Sequence, residues 1–160
     1  MKDYKGIVFL DYDGTTVDEV DRIKSATPKT IESLCKLKEN GYLTMLCSGR
    51  TKRFLEQDID SFQGAITCNG SYTEVEGEIL RDISIPDELL FRVIDEYFPR
   101  DTIIQMDTQE VTYYLHSDAE FFKSFCRLFN LPERWFAPWR FRKAENHITK
   151  LVMNYKTPDV

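Results

Sequence analysis

The chain opens on alternating short apolar runs and polar breaks. Residues 5–10 (Lys-Gly-Ile-Val-Phe-Leu) are apolar on both faces, which predicts a short strand at the centre of a parallel sheet. The run stops at Asp11-Tyr12-Asp13-Gly14-Thr15-Thr16, and a polar loop continues to about Ala26. Thr27-Pro28 is a helix start, a hydroxyl cap followed by proline at the first helical position. Ile31, Leu34, Cys35 and Leu37 carry the helical period, and Asn40-Gly41 predicts a left-handed end. Residues 42–47 read as a second strand ending in Ser48-Gly49-Arg50, and residues 51–59 as a second helix. Residues 64–67 read as a third strand ending in Cys68-Asn69-Gly70. Strand–helix–strand order with connections of this length predicts right-handed crossovers and a parallel α/β sheet. Such sheets bind ligands at the carboxyl ends of their strands, where each of these runs carries a small polar signature.

The pattern changes after about residue 71. Two β-rich runs flank Glu76-Gly77, a hairpin signal. A helix follows from Pro86-Asp87 with Leu89, Leu90, Val93, Ile94 and Tyr97 on one face. Strands are predicted over 102–106, 111–115 and 148–155, and a helix over 118–130. The expected organisation is a Rossmann-like α/β core portion over 1–75 and an α+β domain over 76–160. Aromatics crowd the stretch from Tyr113 to Phe141; Phe121, Phe122, Phe125 and Phe129 have helical spacing, which favours a local core over a recognition surface.

Hydrophobic residues make up 42% of the chain and charged residues 30%, which excludes disorder. A formal net charge of −6 repels polyanions, so neither nucleic acid nor an anionic membrane is an expected partner. The basic–aromatic stretch from Trp139 to Lys143 is read for the same reason as a solvated edge, or at best a cationic rim for a phosphorylated substrate. No apolar run is long enough to span a bilayer, and the first residues lack a secretory pattern. The four cysteines (Cys35, Cys47, Cys68, Cys126) stand at unrelated spacings, as reduced core thiols of a cytoplasmic protein would. His116 and His147 have no second ligand at zinc spacing. Oligomeric state leaves no mark on the sequence.

Two carboxylates stand at the end of the first strand. Ionised together at ~5 Å and an effective dielectric of ~20, Asp11 and Asp13 repel by about 3 kcal/mol. A hard divalent cation such as Mg²⁺ relieves that repulsion with oxygen ligands alone. Taken alone, Asp-x-Asp-Gly is equally a solvated turn. Gly14-Thr15-Thr16 adds main-chain amides that can face an anion, and Ser48-Gly49 adds a hydroxyl and an amide at the second strand end.

Together these residues resemble the haloacid dehalogenase superfamily of phosphatases and phosphotransferases. Residues 7–10 running into Asp11-Tyr12-Asp13-Gly14-Thr15 look like its first motif, and Leu46-Cys47-Ser48-Gly49-Arg50 like its second. Ile66-Thr67-Cys68-Asn69-Gly70 with the hairpin after it is similar to the Cof-type sugar-phosphatase branch, which inserts an α/β cap at this point. The resemblance implies a Mg²⁺-dependent phosphatase of small phosphorylated metabolites, with Asp11 as nucleophile and Asp13 as general acid–base. Mg²⁺ would sit on the Asp11 carboxylate and the Asp13 main-chain carbonyl. Gly14, Thr15, Ser48 and Gly49 would hold or shape the phosphoryl seat. Asn69 would reach the rim, and Arg50 either the rim or an ion pair. A phosphosugar mutase using the same two aspartates is the alternative within the superfamily, and a non-catalytic binding module the alternative outside it. The superfamily's later lysine and acidic cluster have no counterpart here; Lys150 and Lys156 lie in the wrong surroundings. The chain alone is therefore expected to be weakly active or inactive, with residues 7–10 left as a bare apolar edge.

Overall fold

In the computed structural model, which describes residues 3–18, 20–98, 102–115, 119–128, 131–139 and 147–155, the first apolar run forms β1 (Gly6–Asp11). β1 pairs in parallel with β2 (Tyr42–Cys47), and β2 with β3 (Gly64–Thr67). The connection from β1 to β2 carries α1 (Pro28–Glu39), started by Pro28 and by Thr27, whose hydroxyl accepts the Thr30 amide at 3.1 Å. Gly41, at φ +84°, turns the chain out of the helix. Leu34 of α1 packs on Leu46 and Ala65 of the sheet with Leu55 and Phe62, and Leu10 lies against this core.

β4 (Tyr72–Val75) and β5 (Glu78–Asp82) return antiparallel and extend the same sheet, in the order β1-β2-β3-β4-β5. Their turn places Glu76 at φ 49° and Gly77 at φ 83°, the left-handed pair that suits a two-residue hairpin. The chain divides into two compact units, Met1–Asp82 and Ile83–Val160. The division lies beyond the sequence-based boundary after residue 75 because the hairpin stays hydrogen-bonded to the first sheet.

Two expectations for this unit need correction. Residues 51–59 do not form an α-helix; they make two single 3₁₀ turns, Lys52–Leu55 and Ile59–Ser61. The chain breaks at Asp58, which takes φ −125° and turns a 3% exposed carboxylate inward. β1, moreover, lies at the sheet's edge rather than its centre. Its Ile7 and Phe9 are 53% and 58% exposed, the bare apolar edge that the family resemblance implied.

The second unit is α+β as expected. Its sheet has the order β8-β7-β6-β9, built from β6 (Thr102–Asp107), β7 (Thr112–Leu115), β8 (Phe136–Pro138) and β9 (Lys150–Tyr155). β8, parallel to β7, is too short and proline-containing to read from sequence. Leu90 and Ile94 of α2 (Asp87–Tyr97) pack on Ile104 and Met106, while Ile103 meets Cys126 of α3 (Ala119–Leu128). Trp135 is buried, and Tyr113 and Trp139 pack against the α2 cluster, as a local core requires. His116, Phe129, residues 140–143 and Lys156, and the side chains of Phe121, Phe122 and Phe125, lie outside the described residues.

Candidate active site

The candidate residues named above all lie in the first unit. Register places Asp11 opposite Cys47 and Cys47 opposite Ile66, so three parallel strands end side by side. Main-chain bonds knit the loops beyond those ends: Tyr12 N–H to Cys47 C=O at 3.2 Å, Ser48 N–H to Ile66 C=O at 2.9 Å, and Cys68 N–H to Arg50 C=O at 3.0 Å. Asp11, Ser48 and Asn69 therefore arrive at one carboxyl edge of the sheet, where open α/β sheets hold ligands.

The loop after β1 closes on itself. The Tyr12 carbonyl accepts the Thr16 and Val17 amides at 2.9 and 3.0 Å, and that of Thr15 at 3.4 Å. Gly14, at φ +79°, donates its amide to the Val17 carbonyl at 2.8 Å. The Thr16 hydroxyl bonds the Asp11 carbonyl at 2.8 Å. The amides of Gly14, Thr15 and Thr16, which the sequence offered to an anion, are thus spent within the loop. A tight turn satisfies its own donors when geometry permits. Gly14 and Thr15 shape this loop, and their amides bond inside it.

Asp11 and Asp13 are both exposed. Arg50 takes the ion-pair role: its Nε donates to Asp13 Oδ2 at 3.1 Å and its Nη2 to Oδ1 at 2.5 Å. The guanidinium also lies 5.3 Å from the centre of the Tyr12 ring. Tyr12 is buried, and its hydroxyl donates to Asp58 Oδ2 at 2.8 Å. Asp58 Oδ1 accepts the Ala26 amide at 2.9 Å, so both oxygens of this buried carboxylate are satisfied. Burial, then the hydrogen bond to Asp58, push the Tyr12 hydroxyl well above the usual tyrosine range. Sequence reasoning missed Tyr12 and Asp58, because one stands as a spacer between two aspartates and the other among polar helix formers.

Ser48 is nearly buried, and its Oγ accepts the Arg50 amide at 3.0 Å, which leaves its own proton to donate to a ligand. A Cβ at position 49 would come within 2.7 Å of Asn69 Oδ1, so the tip of the Asn69 side chain would have to turn aside. Asn69 itself is exposed, at φ 56°. Burial raises the Cys47 thiol, and the Asp11 carboxylate raises it further, so Cys47 is a poor candidate for a thiolate nucleophile. Asp18 is half-buried in a local turn, its Oδ1 accepting the Val20 amide at 2.9 Å. Glu19 lies outside the described residues.

Among the described residues, no three His, Cys, Asp or Glu side chains gather as a metal cage. The Asp11 carboxylate at an open sheet edge fits a hard cation that keeps several waters and takes one or two protein oxygens. The Asp13 side chain does not add to that set here, since Arg50 occupies both of its oxygens. His147 is exposed and belongs to no such group.

The first unit thus carries a carboxylate loop after the first of its parallel strands and a hydroxyl at the end of the second. The sequence model of the haloacid dehalogenase-like hydrolases matches residues 8–159, and the chain belongs to that family. No functionally curated protein matches the sequence. Among solved structures, a hypothetical protein from Geobacillus kaustophilus superposes with a TM-score of 0.73 at 21% identity, covering 94% of this chain and 57% of its own. The phosphatase BT1666 from Bacteroides thetaiotaomicron gives 0.67 at 19% identity, covering 86% of this chain and 50% of its own. The subclass IIB sugar phosphatase BT4131 gives 0.64 at 21% identity, covering 84% and 52%. The chain spans about half the length of these structures. No described helix is long and apolar enough to cross a membrane.

Proposed function

We propose that the chain carries the nucleophile half-site of a phosphoric monoester hydrolase acting on small phosphorylated metabolites such as sugar phosphates. The observation that carries this reading is the exposed Asp11 carboxylate at the end of β1, beside Ser48, in a member of a hydrolase family.

In the first step the Asp11 carboxylate attacks phosphorus, a phosphorus–oxygen bond breaks, and the leaving alkoxide takes a proton from Asp13, one of whose oxygens leaves the Arg50 fork to carry it. In the second, Asp13 removes a proton from water as its oxygen attacks phosphorus, releasing phosphate and the Asp11 carboxylate. Ser48 donates to a phosphoryl oxygen, Gly49 lets the chain approach closely, Gly14 and Thr15 hold the loop, and Asn69 stands at the rim. The Asp11 carboxylate and the Asp13 main-chain carbonyl would hold Mg²⁺, which would supply the charge neutralisation that phosphate monoesters demand.

The second unit is assigned as the cap that selects substrate. The described residues offer no acidic cluster to complete the metal site, and Lys150 pairs with Asp107 at 3.5 Å in the second unit. The 160-residue chain alone is therefore assigned weak or no turnover. Four free cysteines, two of them buried, suit a reducing compartment such as the cytoplasm. The net charge of −6 argues against nucleic-acid and anionic-membrane partners.

Hydrolysis of p-nitrophenyl phosphate with Mg²⁺ by the whole product of the gene tests the reading. Asp11→Asn is expected to lower kcat/KM by ~10³-fold or more. Turnover undiminished by that substitution overturns it.

A further inference from the structure

We propose that Asp58 and Tyr12 are positioning residues: Asp58 anchors the Tyr12 phenol, the Tyr12 ring seats the Arg50 guanidinium, and Arg50 fixes the orientation of Asp13. What Asp13 does there rests on the function proposed above; the chain of contacts does not.

Each link has a physical reason to be rigid at its inner end. Asp58 is 3% exposed and receives one hydrogen bond on each oxygen, from the Tyr12 hydroxyl at 2.8 Å and the Ala26 amide at 2.9 Å. A buried carboxylate satisfied in this way does not rotate without losing a donor. Tyr12 is also 3% exposed, packed with Leu34, Leu46, Leu55 and Phe62. Its carbonyl meanwhile takes the Thr16 and Val17 amides, so ring and loop are fixed together.

Arg50 is the outer member, with a long stem and a side chain 33% exposed. An exposed arginine–aspartate pair is held weakly by charge alone. The Tyr12 ring, 5.3 Å from the guanidinium, adds a face on which that group can rest while its fork meets both Asp13 oxygens. The same residue's amide bonds Ser48 Oγ at 3.0 Å. Arg50 therefore sets Asp13 through its side chain and Ser48 through its main chain, and a carboxylate outside the strand-end motifs keeps it in place.

The Arg50 Nε–H resonance of the 160-residue chain, followed by ¹⁵N NMR, reads this directly and needs no turnover. Asp13→Asn identifies the signal by its shift. Tyr12→Phe keeps the ring but removes the anchor, and Asp58→Ala removes the anchor's acceptor. Both are expected to speed solvent exchange of the Arg50 Nε–H by about tenfold, with β2 and β3 amide protection unchanged. Asp58→Asn, which retains an acceptor, is expected to restore slow exchange. Exchange unchanged in Tyr12→Phe overturns the proposal; that variant decides the matter if Asp58→Ala fails to fold. Failure of the hydrolase reading shows separately, as absent phosphatase turnover with the Arg50 signal still protected.

Discussion

At Gly64 the sheet has no room for a side chain. A Cβ there would stand 2.5 Å from Met45 Sδ and 2.6 Å from the Glu74 carbonyl oxygen, and the second of these is backbone. Gly64→Ala is expected to cost about 1–3 kcal/mol, seen as a lower urea midpoint at constant m-value. The site residues differ in how visible they are from sequence. Asp11, Asp13 and Ser48 are legible because each follows an apolar run and must emerge at a strand end. Tyr12 and Asp58 are not: their bond joins positions 46 apart, and only the folded core decides that Tyr12 points inward. The loop amides of Gly14 to Thr16 misled for a related reason, since sequence counts donors but not their nearest acceptor.

Among the elements, α1 and the hairpin were legible because capping and turn chemistry are local: Thr27, Pro28 and Gly41 bound the helix, and Glu76-Gly77 closes the turn. The stretch over 51–59 was not, because inward use of Asp58 is a tertiary demand that overrides helix propensity. β4 carries a titratable element of its own. Glu74 accepts from Lys52 Nζ at 2.6 Å and from the Tyr72 hydroxyl at 2.7 Å. Burial alone would raise the Glu74 carboxyl, but these two hydrogen bonds outweigh it and hold the group below its ordinary value of 4.5. A carboxylate depressed on folding contributes stability that is complete above that ordinary value and lost as pH falls through the lower folded one. Urea midpoints measured from neutral pH down into the acid limb are expected to fall less steeply for Glu74→Gln than for the parent chain.

For the molecule as a whole, the α/β class and the change of character in the second half follow from periodicity, whereas the edge position of β1 does not. An apolar run on both faces is the mark of a strand meant for cover on both sides. Here Ile7 and Phe9 remain exposed, in a chain spanning about half the length of the structures it resembles. Such an edge promotes association. Phe9→Lys is expected to reduce self-association in light scattering while leaving the unfolding free energy from urea melts within about 0.5 kcal/mol of the parent, because the side chain it replaces packs little.

The central assignment is that the Asp11 carboxylate receives the phosphoryl group. Beryllium trifluoride mimics that acyl phosphate, and ¹⁹F NMR of the whole gene product with Mg²⁺ and BeF₃⁻ reads its capture. A bound fluoride signal that disappears in Asp11→Asn is the predicted result; a bound signal that persists in that variant, or none in the parent protein, contradicts it.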